Sequence, residues 1–164
     1  ALKRMNGPKP DKGFRILDGV RISRDERKCL VVEVKGITDG PVSTNDLVEI
    51  DPSGKLFKWL GRYDHVINSG GIKIIPELLE QQIRIVIKLP CLILSEHDDR
   101  LGSRLVLLVE TPDENPPLED WLEALKAILP SYELPKRILG TKEIPRNLSM
   151  KMDRRAAQNL FGEH

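Results

Sequence analysis

Four short stretches combine polar residues whose types and spacing could do chemistry. The first is STNDLVEI, in which Asp46 follows Thr44 and Asn45 at the start of an apolar run. An exposed carboxylate there could accept two hydrogen bonds from a cis-diol such as that of a ribose. The simpler interpretation is a turn-forming aspartate, and composition alone favours it by roughly two to one.

The second and third stretches lie together in LGRYDHVINSGGIKI. The guanidinium of Arg62 could hold a phosphate or ribose oxygen, or could simply pair with Asp64 at the surface. The NSGG run, residues 68–71, supplies two glycines that can adopt positive φ and let a ligand approach closely, although a plain hairpin turn is the commoner use. Lys73 follows on an alternating strand, where a lysine usually faces solvent.

The fourth stretch is EIPRNLSMKMDRR, which contains Lys151. From Pro130 to Arg155 the chain has seven Lys or Arg and three Asp or Glu. A basic loop of this kind can bring one ammonium group to a phosphate, but a solvated charged tail is the more frequent structure. Histidines and cysteines are too scattered for a metal site, so none is predicted: His65, His97, His164, Cys29 and Cys91.

Composition limits the classes of function. The chain has 164 residues, is 40% hydrophobic and 31% charged, and has a formal net charge of +1. These values are typical of a globular domain, and the near-neutral charge argues against a nucleic-acid binder. No apolar run reaches the roughly 18 residues that span a bilayer, and no signal peptide is visible, so we expect a cytoplasmic protein with no membrane partner. Cys29 and Cys91 lie in apolar runs and are predicted to be reduced core residues.

The elements that must position these residues follow from periodicity. Residues 14–50 contain short β-like runs, and DPSG at 51–54 predicts a hairpin with the run KLFKWLG. After Gly71 strands alternate with helices, so the fold class is α+β, with a β-rich first part and a small α+β second part. In the clearest helix, ENPPLEDWLEALKAILP, Asn115 is the predicted cap and Pro130 ends the helix. One apolar face is read as core: Leu118, Trp121, Leu122, Leu125, Ile128 and Leu129.

The order of these stretches resembles the domain boundary of the adenylate-forming superfamily, which includes acyl-CoA synthetases, peptide-synthetase adenylation domains and luciferases. TNDL, GRYD and NSGGIKIIPELLE resemble the family's TGDL, GRxD and the following glycine loop, strand and acidic helix. DDRLGSRLVLLVE and PRNLSMKMDRR resemble its D-x-x-x-G-E segment and closing P-R-T-x-S-G-K-x-x-R motif. The resemblance covers the chain from about Phe14 onward, and the series is far more specific than any one motif.

The resemblance implies a division of roles for the nucleotide. Asp46 would hold the ribose hydroxyls of AMP, and Arg62 would contact the ribose or the α-phosphate. Lys151 would be the catalytic lysine that stabilises the transition state of carboxylate adenylation. Negative charge develops as the carboxylate attacks the α-phosphate, and a positioned cation lowers that barrier.

The resemblance also implies a domain rotation between two half-reactions. Residues 1–63 would be the end of the large N-terminal AMP-binding domain, and residues 64–164 the mobile C-terminal domain, with Asp64 as the hinge. The loop that lines the CoA thiol tunnel would comprise Asn68, Ser69, Gly70 and Gly71, followed by Lys73, which matches an often basic position.

Three positions depart from the family pattern. Asn45 replaces the Gly of TGD, Asn147 replaces a Thr, and Met150 replaces the Gly before the lysine, which indicates a divergent branch of the family. The upstream phosphate loop, acyl pocket and Mg²⁺-holding motif of the family have no counterpart here. We therefore expect a C-terminal portion whose partner is the missing N-terminal domain, and which alone does not make acyl-adenylate.

The predicted parent is an AMP-forming acid–CoA ligase that uses ATP, CoA and a small-molecule carboxylate, with Mg²⁺ ligands outside this chain. GVRIS and TNDLVEI look most like o-succinylbenzoate–CoA ligases of menaquinone synthesis. Another acyl- or aryl-CoA ligase, or an adenylation domain, is the close alternative. A non-catalytic binding module is the alternative from another class.

Overall fold

The computed structural model describes residues 1–3 and 13–162. The chain divides into two compact units, Ala1–His65 and Val66–His164. The described part of the first unit consists of strands and one turn of 3-10 helix, and the second unit combines strands with three helices. The predicted α+β fold class is confirmed, including the β-rich character of the first part.

The first unit is an antiparallel sheet of five strands. In sheet order they are β1 (Phe14–Arg15), β5 (Leu56–Arg62), β4 (Val42–Ile50), β3 (Cys29–Val34) and β2 (Val20–Arg24). Alternation along the strands buries Leu30, Val48 and Phe57 on one face. The predicted DPSG hairpin is confirmed, because the side chain of Asp51 accepts hydrogen bonds from the backbone N–H of Lys55 (3.1 Å) and Leu56 (2.8 Å).

The second unit begins with a hairpin and is built around a three-stranded sheet. The hairpin strands are β6 (Ile67–Ser69) and β7 (Ile72–Ile74). The sheet contains β8 (Cys91–Asp98), β9 (Gly102–Glu110) and β10 (Arg137–Thr141), with β9 in the centre, antiparallel to β8 and parallel to β10. The helices are α1 (Pro76–Ile87), α2 (Leu118–Lys126) and α3 (Arg154–Phe161).

Both faces of the three-stranded sheet are covered, which explains why residues 91–94 of β8 and 105–109 of β9 form uninterrupted apolar runs. One face packs against α1, α2 and the β6–β7 hairpin; its buried residues include Ile67, Ile74, Leu79, Ile83, Ile93, Leu107 and Leu125. The other face packs against α3 and the segment before it; its buried residues are Leu92, Leu94, Val106, Leu108, Ile144 and Ala157. The sheet therefore separates the second unit into two sides.

The predicted start of α2 is wrong. The helix begins at Leu118, and its N-cap position is occupied by Pro117 rather than Asn115. A residue that precedes proline is disfavoured in helical conformation, so the helix starts only after both prolines. The backbone N–H of Asn115 instead donates to Asp113 (2.9 Å). Ile128, predicted as core, lies beyond the helix and is exposed.

Both cysteines are free and buried, as predicted. Burial raises the pKa of each thiol above its ordinary value, to about 11 for Cys91. Both thiols are therefore protonated at neutral pH and act as small core residues. Within the described residues, the helices are all too short or too polar to cross a bilayer.

Candidate active site

Asp46 and Arg62 occupy directly opposite positions on β4 and β5. The Oδ1 atom of Asp46 accepts a hydrogen bond from Nε1 of Trp59 (3.1 Å), and the Asp46 backbone N–H donates to the hydroxyl of Thr44 (3.1 Å). Asp46 is half-buried, and the indole of Trp59 orients its carboxylate. Next to this pair the register between β4 and β5 shifts by one residue: Leu47 pairs with Gly61, but Val48 pairs with Trp59. Such bulges redirect side chains and are frequent next to active sites.

Arg62 and Asp64 form a bidentate ion pair at the end of the sheet. Nε of Arg62 lies 2.9 Å from Oδ1 of Asp64, and Nη2 lies 3.0 Å from Oδ2. The guanidinium holds the pKa of the Asp64 carboxyl below its ordinary value. The surface pair anticipated as the simpler interpretation is therefore present. A half-exposed pair of this kind contributes little to stability.

Arg27 was missed in the sequence. Its guanidinium lies over the ring of Tyr63 at 5.1 Å and donates to Asp25 at 2.9 and 3.0 Å. It also donates to the Thr44 carbonyl and to Oδ1 of Asn45, both at 3.2 Å. One side chain thus connects the β2–β3 turn, the segment before Asp46 and the residue after Arg62. The only sequence signal was DERK, which reads as an ordinary charged turn.

The glycine hairpin, β6 and β7 with their connection, contains the predicted loop residues Asn68, Ser69, Gly70, Gly71 and Lys73. Gly70 and Gly71 have φ of 59° and 83°, which is the conformation of a two-residue type I′ turn. Asn68 pairs with Lys73 across the strands, and both are exposed. The hairpin interpretation of NSGG is therefore confirmed, while the role of the loop in binding CoA stays a prediction.

The tip of the glycine hairpin rests on the β8–β9 connection. The backbone N–H of Gly70 donates to the carbonyl of Leu101 (2.9 Å), and a Cβ at Gly70 would lie 3.0 Å from the Leu101 side chain. Leu101 is held in turn because its N–H donates to Oδ1 of Asp98 (2.9 Å). That hydrogen bond also lowers the pKa of the Asp98 carboxyl. The loop is thus a braced turn.

The lysine hairpin, residues 146–152, is closed by a bridge between Arg146 and Met152 and by the Asn147 N–H donating to the Lys151 carbonyl (2.8 Å). The Asn147 side chain accepts hydrogen bonds from the N–H groups of Ser149 (2.9 Å) and Lys151 (3.1 Å). Met150 has φ of 59°. This is a three-residue loop with a left-handed residue at its third position, where glycine is usual.

Lys151 is exposed at the end of this loop. Its ammonium group forms no hydrogen bond or ion pair with any residue that the structure describes. An ammonium group in this position can bind an anionic ligand.

The predicted residues fall into three groups. Asp46, Arg62 and Asp64 lie together at one end of the first unit. In the second unit, the glycine hairpin packs through Ile67 and Ile74 on one face of the three-stranded sheet. The lysine hairpin lies between Ile144 and α3, and its Met152 packs on the opposite face. Among residues 1–3 and 13–162, no cluster of three or more His, Cys, Asp or Glu side chains could hold a metal ion.

The sequence is similar to those of several CoA ligases. It is 30% identical over 131 residues to 4-chlorobenzoate–CoA ligase from Arthrobacter, an alignment that covers 78% of this chain and 24% of the ligase. It is 27% identical over 156 residues to 2-succinylbenzoate–CoA ligase from Bacillus cytotoxicus, covering 93% of this chain and 31% of that protein. No protein-family profile matches the chain.

The solved structures that are similar to this chain include an acyl-CoA synthetase-like protein. An AMP-forming acyl-CoA synthetase/AMP-acid ligase II-like protein from Dyadobacter fermentans is 34% identical, with a TM-score of 0.55, over 94% of this chain and 45% of that one. ATP-bound MatB from Rhodopseudomonas palustris has a TM-score of 0.78 at 19% identity, over 96% and 37% respectively, and shares the fold. The chain thus spans about a quarter to a half of the length of each of these four proteins. It is homologous to AMP-forming acyl-CoA ligases and has the fold of a segment of these enzymes.

Proposed function

We propose that the chain is the C-terminal part of an ATP-dependent acid–CoA ligase. In the first half-reaction a carboxylate attacks the α-phosphate of ATP, which gives an acyl-adenylate and releases pyrophosphate. In the second, the thiol of CoA attacks the acyl carbon, which gives a thioester and releases AMP. The homology to AMP-forming ligases over most of the chain supports this assignment.

The observation that carries the proposal is the position of the two hairpins in the second unit. The glycine hairpin packs on one face of the sheet and the lysine hairpin on the other. A single active site would meet only one of these faces at a time. Two faces that carry two different loops suit an enzyme that reorients this unit between two half-reactions.

In the adenylation half-reaction, Lys151 would be the catalytic residue. Its unpaired ammonium would stabilise the negative charge that develops on the α-phosphate oxygens. Asp46, already oriented by Trp59, would accept hydrogen bonds from the ribose hydroxyls of the nucleotide. Arg62 would bind the ribose or the α-phosphate through its guanidinium, on the strand position opposite Asp46. Mg²⁺ would neutralise phosphate charge, and we expect its ligands outside this chain.

In the thioester-forming half-reaction, Asn68, Ser69, Gly70 and Gly71 would line the approach of the CoA thiol. Two glycines without side chains leave room for the extended arm of CoA. Lys73, exposed beside them, would meet the anionic part of CoA. Asp64 would be the pivot, which agrees with a boundary between the two compact units one residue later, after His65.

For the acyl substrate we propose o-succinylbenzoate, because a relative named 2-succinylbenzoate–CoA ligase aligns over 93% of the chain. The alternative is another aryl acid, since a 4-chlorobenzoate–CoA ligase aligns over 78%. Both acids carry a benzene ring, so the acyl pocket of the enzyme must distinguish them by their other substituents. The predicted cytoplasmic location agrees with a reaction that consumes ATP and CoA.

The test is direct in the full-length protein. Carboxylate-dependent exchange of pyrophosphate into ATP measures the first half-reaction, and CoA-dependent release of AMP measures the second. We expect both with o-succinylbenzoate, at a higher kcat/KM than with 4-chlorobenzoate. Activity with 4-chlorobenzoate alone would replace the substrate but keep the ligase. No exchange with any carboxylate would favour a non-catalytic binding module.

Replacing Asp64 with proline tests the pivot. Proline fixes φ near −65°, so it should hold the second unit in one orientation. We expect adenylation to remain within a fewfold of wild type while thioester formation falls sharply. Asp64→Asn is the control, since it removes the charge but keeps the backbone free. If both half-reactions of Asp64→Pro match those of Asp64→Asn, the pivot lies elsewhere.

A further inference from the structure

The lysine hairpin is anchored at its first residue by an ion pair to the end of β9. Arg146 Nη1 and Nη2 lie 2.8 and 2.9 Å from the two carboxylate oxygens of Glu110. The same carboxylate accepts the N–H of Ile144 (2.8 Å), and Arg146 also donates to the Ile144 carbonyl (2.9 Å). The pair is mostly buried, and Arg146 lowers the pKa of Glu110. The entry into the hairpin is therefore fixed by four hydrogen bonds.

A second arginine anchors the chain just after the hairpin. Arg154, the first residue of α3, places Nη2 2.7 Å from Glu80 on α1 and donates from Nη1 to the Ile93 carbonyl (2.5 Å). Glu80, only 3% exposed, also accepts the Ile93 N–H (2.7 Å). Burial raises the pKa of this carboxyl, and the charge of Arg154 opposes that shift. The exit from the hairpin is thereby tied to β8 and α1.

Nothing comparable holds the tip. Leu148 and Met150 are exposed, and the described contacts of the tip are the local hydrogen bonds of Asn147. The direction of Lys151 is therefore set at the two ends of the segment. Buried ion pairs are weak evidence of stability, because apolar replacements are often as stable, but they fix one geometry.

We propose that Arg146 and Arg154 are positioning residues for Lys151. They hold the two ends of its hairpin so that the ammonium is directed at the reacting phosphate during adenylation. This inference rests on the proposed role of Lys151. It extends the site to two arginine–glutamate pairs that lie away from the ligand, in which the arginines act through the backbone.

The experiment uses Arg146→Ala, Arg146→Lys and Arg154→Lys in the full-length protein. A misplacement of about 1 Å can cost on the order of 100-fold in rate. We expect kcat for pyrophosphate exchange to fall about 10- to 100-fold for Arg146→Ala and less for Arg146→Lys, which keeps the charge but not the paired donors. KM for ATP and carboxylate should stay within about twofold. Thioester formation from supplied acyl-adenylate should be unchanged.

Arg155→Ala is the matched control, because Arg155 adjoins Arg154 but is exposed and makes no ion pair with the described residues. It should behave as wild type in both half-reactions. Arg154→Lys keeps a cation beside the buried Glu80, so it should fold, which thermal unfolding checks.

Two results would overturn the proposal while leaving the proposed function intact. The first is wild-type adenylation activity of folded Arg146 and Arg154 variants, in an assay that detects a loss of activity for Lys151→Ala. The other is an equal loss in both half-reactions, which would indicate a purely structural role. If Lys151→Ala itself retained wild-type adenylation activity, the catalytic role of Lys151 would be wrong, and this inference would fall with it.

Discussion

The two hairpins of the second unit are similar in size but are built by different means. In the glycine hairpin, Gly70 and Gly71 adopt positive φ without a steric cost. In the lysine hairpin the left-handed position is occupied by Met150, and the Asn147 side chain holds the turn. One turn is specified by backbone freedom and the other by side-chain hydrogen bonds and anchored ends. The first suits a loop that a ligand passes closely, and the second a loop that aims one side chain.

The same difference applies to what each hairpin contacts. The tip of the glycine hairpin rests on Leu101, so its turn is braced by a neighbouring connection. The tip of the lysine hairpin is exposed, and its base is held through Arg146 and Arg154. Substitutions at the tip should therefore matter most in the glycine hairpin, and charge changes at the base should matter most in the lysine hairpin.

The largest effect on stability is expected for Gly70→Val. A β-branched residue at φ of 59° is strained, and its Cβ would press on Leu101 at 3.0 Å. Left-handed strain costs about 1–2 kcal/mol, so with the contact the free energy of unfolding should fall by about 2 kcal/mol in urea denaturation. Gly71→Val is the control, because its Cβ meets nothing within 4 Å and its loss should be smaller. Unchanged stability for Gly70→Val would mean that the turn is not left-handed.

A smaller effect of opposite sign is expected for Met150→Gly. Glycine removes the left-handed strain at φ of 59° but gains freedom in the unfolded chain. The net gain in unfolding free energy should be about 0.5–1 kcal/mol. Leu148→Gly, at an exposed loop position without positive φ, should instead lower stability slightly. A loss for Met150→Gly equal to that for Leu148→Gly would contradict the assigned turn.

The smallest effect concerns acid sensitivity at the base of the lysine hairpin. Arg146 depresses the pKa of Glu110 below its ordinary value of 4.5. A depressed pKa contributes stability that is present above pH 4.5 and is lost as the pH falls through the folded-state value. Glu110→Gln lacks this contribution, so its stability should depend less on pH between about 5 and 3 than that of wild type. Parallel curves for the two proteins would show that Glu110 is not ionised in the pair.

Local patterns in the sequence predicted much of the fold. The hairpin turn at Asp51, the alternation of strands with helices after Gly71 and most of the apolar face of α2 were identified because hydrophobic period and turn chemistry are local signals. The start of α2 was missed because two adjacent prolines delay the helix beyond its predicted cap. Ile128 was wrongly predicted to be a core residue because the periodic pattern continues past the end of the helix.

The supporting residues of the site could not be read in this way. Lys151, Asp46 and Arg62 were proposed because they match motifs. The contacts of Arg27 with Tyr63 and of Glu80 with Arg154 join segments that are distant in sequence. A sequence shows the charges of such residues but not their partners, because pairing depends on how the sheet brings the segments together.

The most direct test of the account is Lys151→Ala in the full-length protein, with the two half-reactions measured separately. Removing one preorganised group from a transition state costs on the order of 3–4 kcal/mol, or 10²–10³ in rate. We predict that loss in pyrophosphate exchange, with thioester formation from supplied acyl-adenylate retained. Lys136→Ala and Lys142→Ala, exposed lysines of the same basic segment, should change little. Equal small effects for all three would contradict the catalytic role and leave a solvated basic loop.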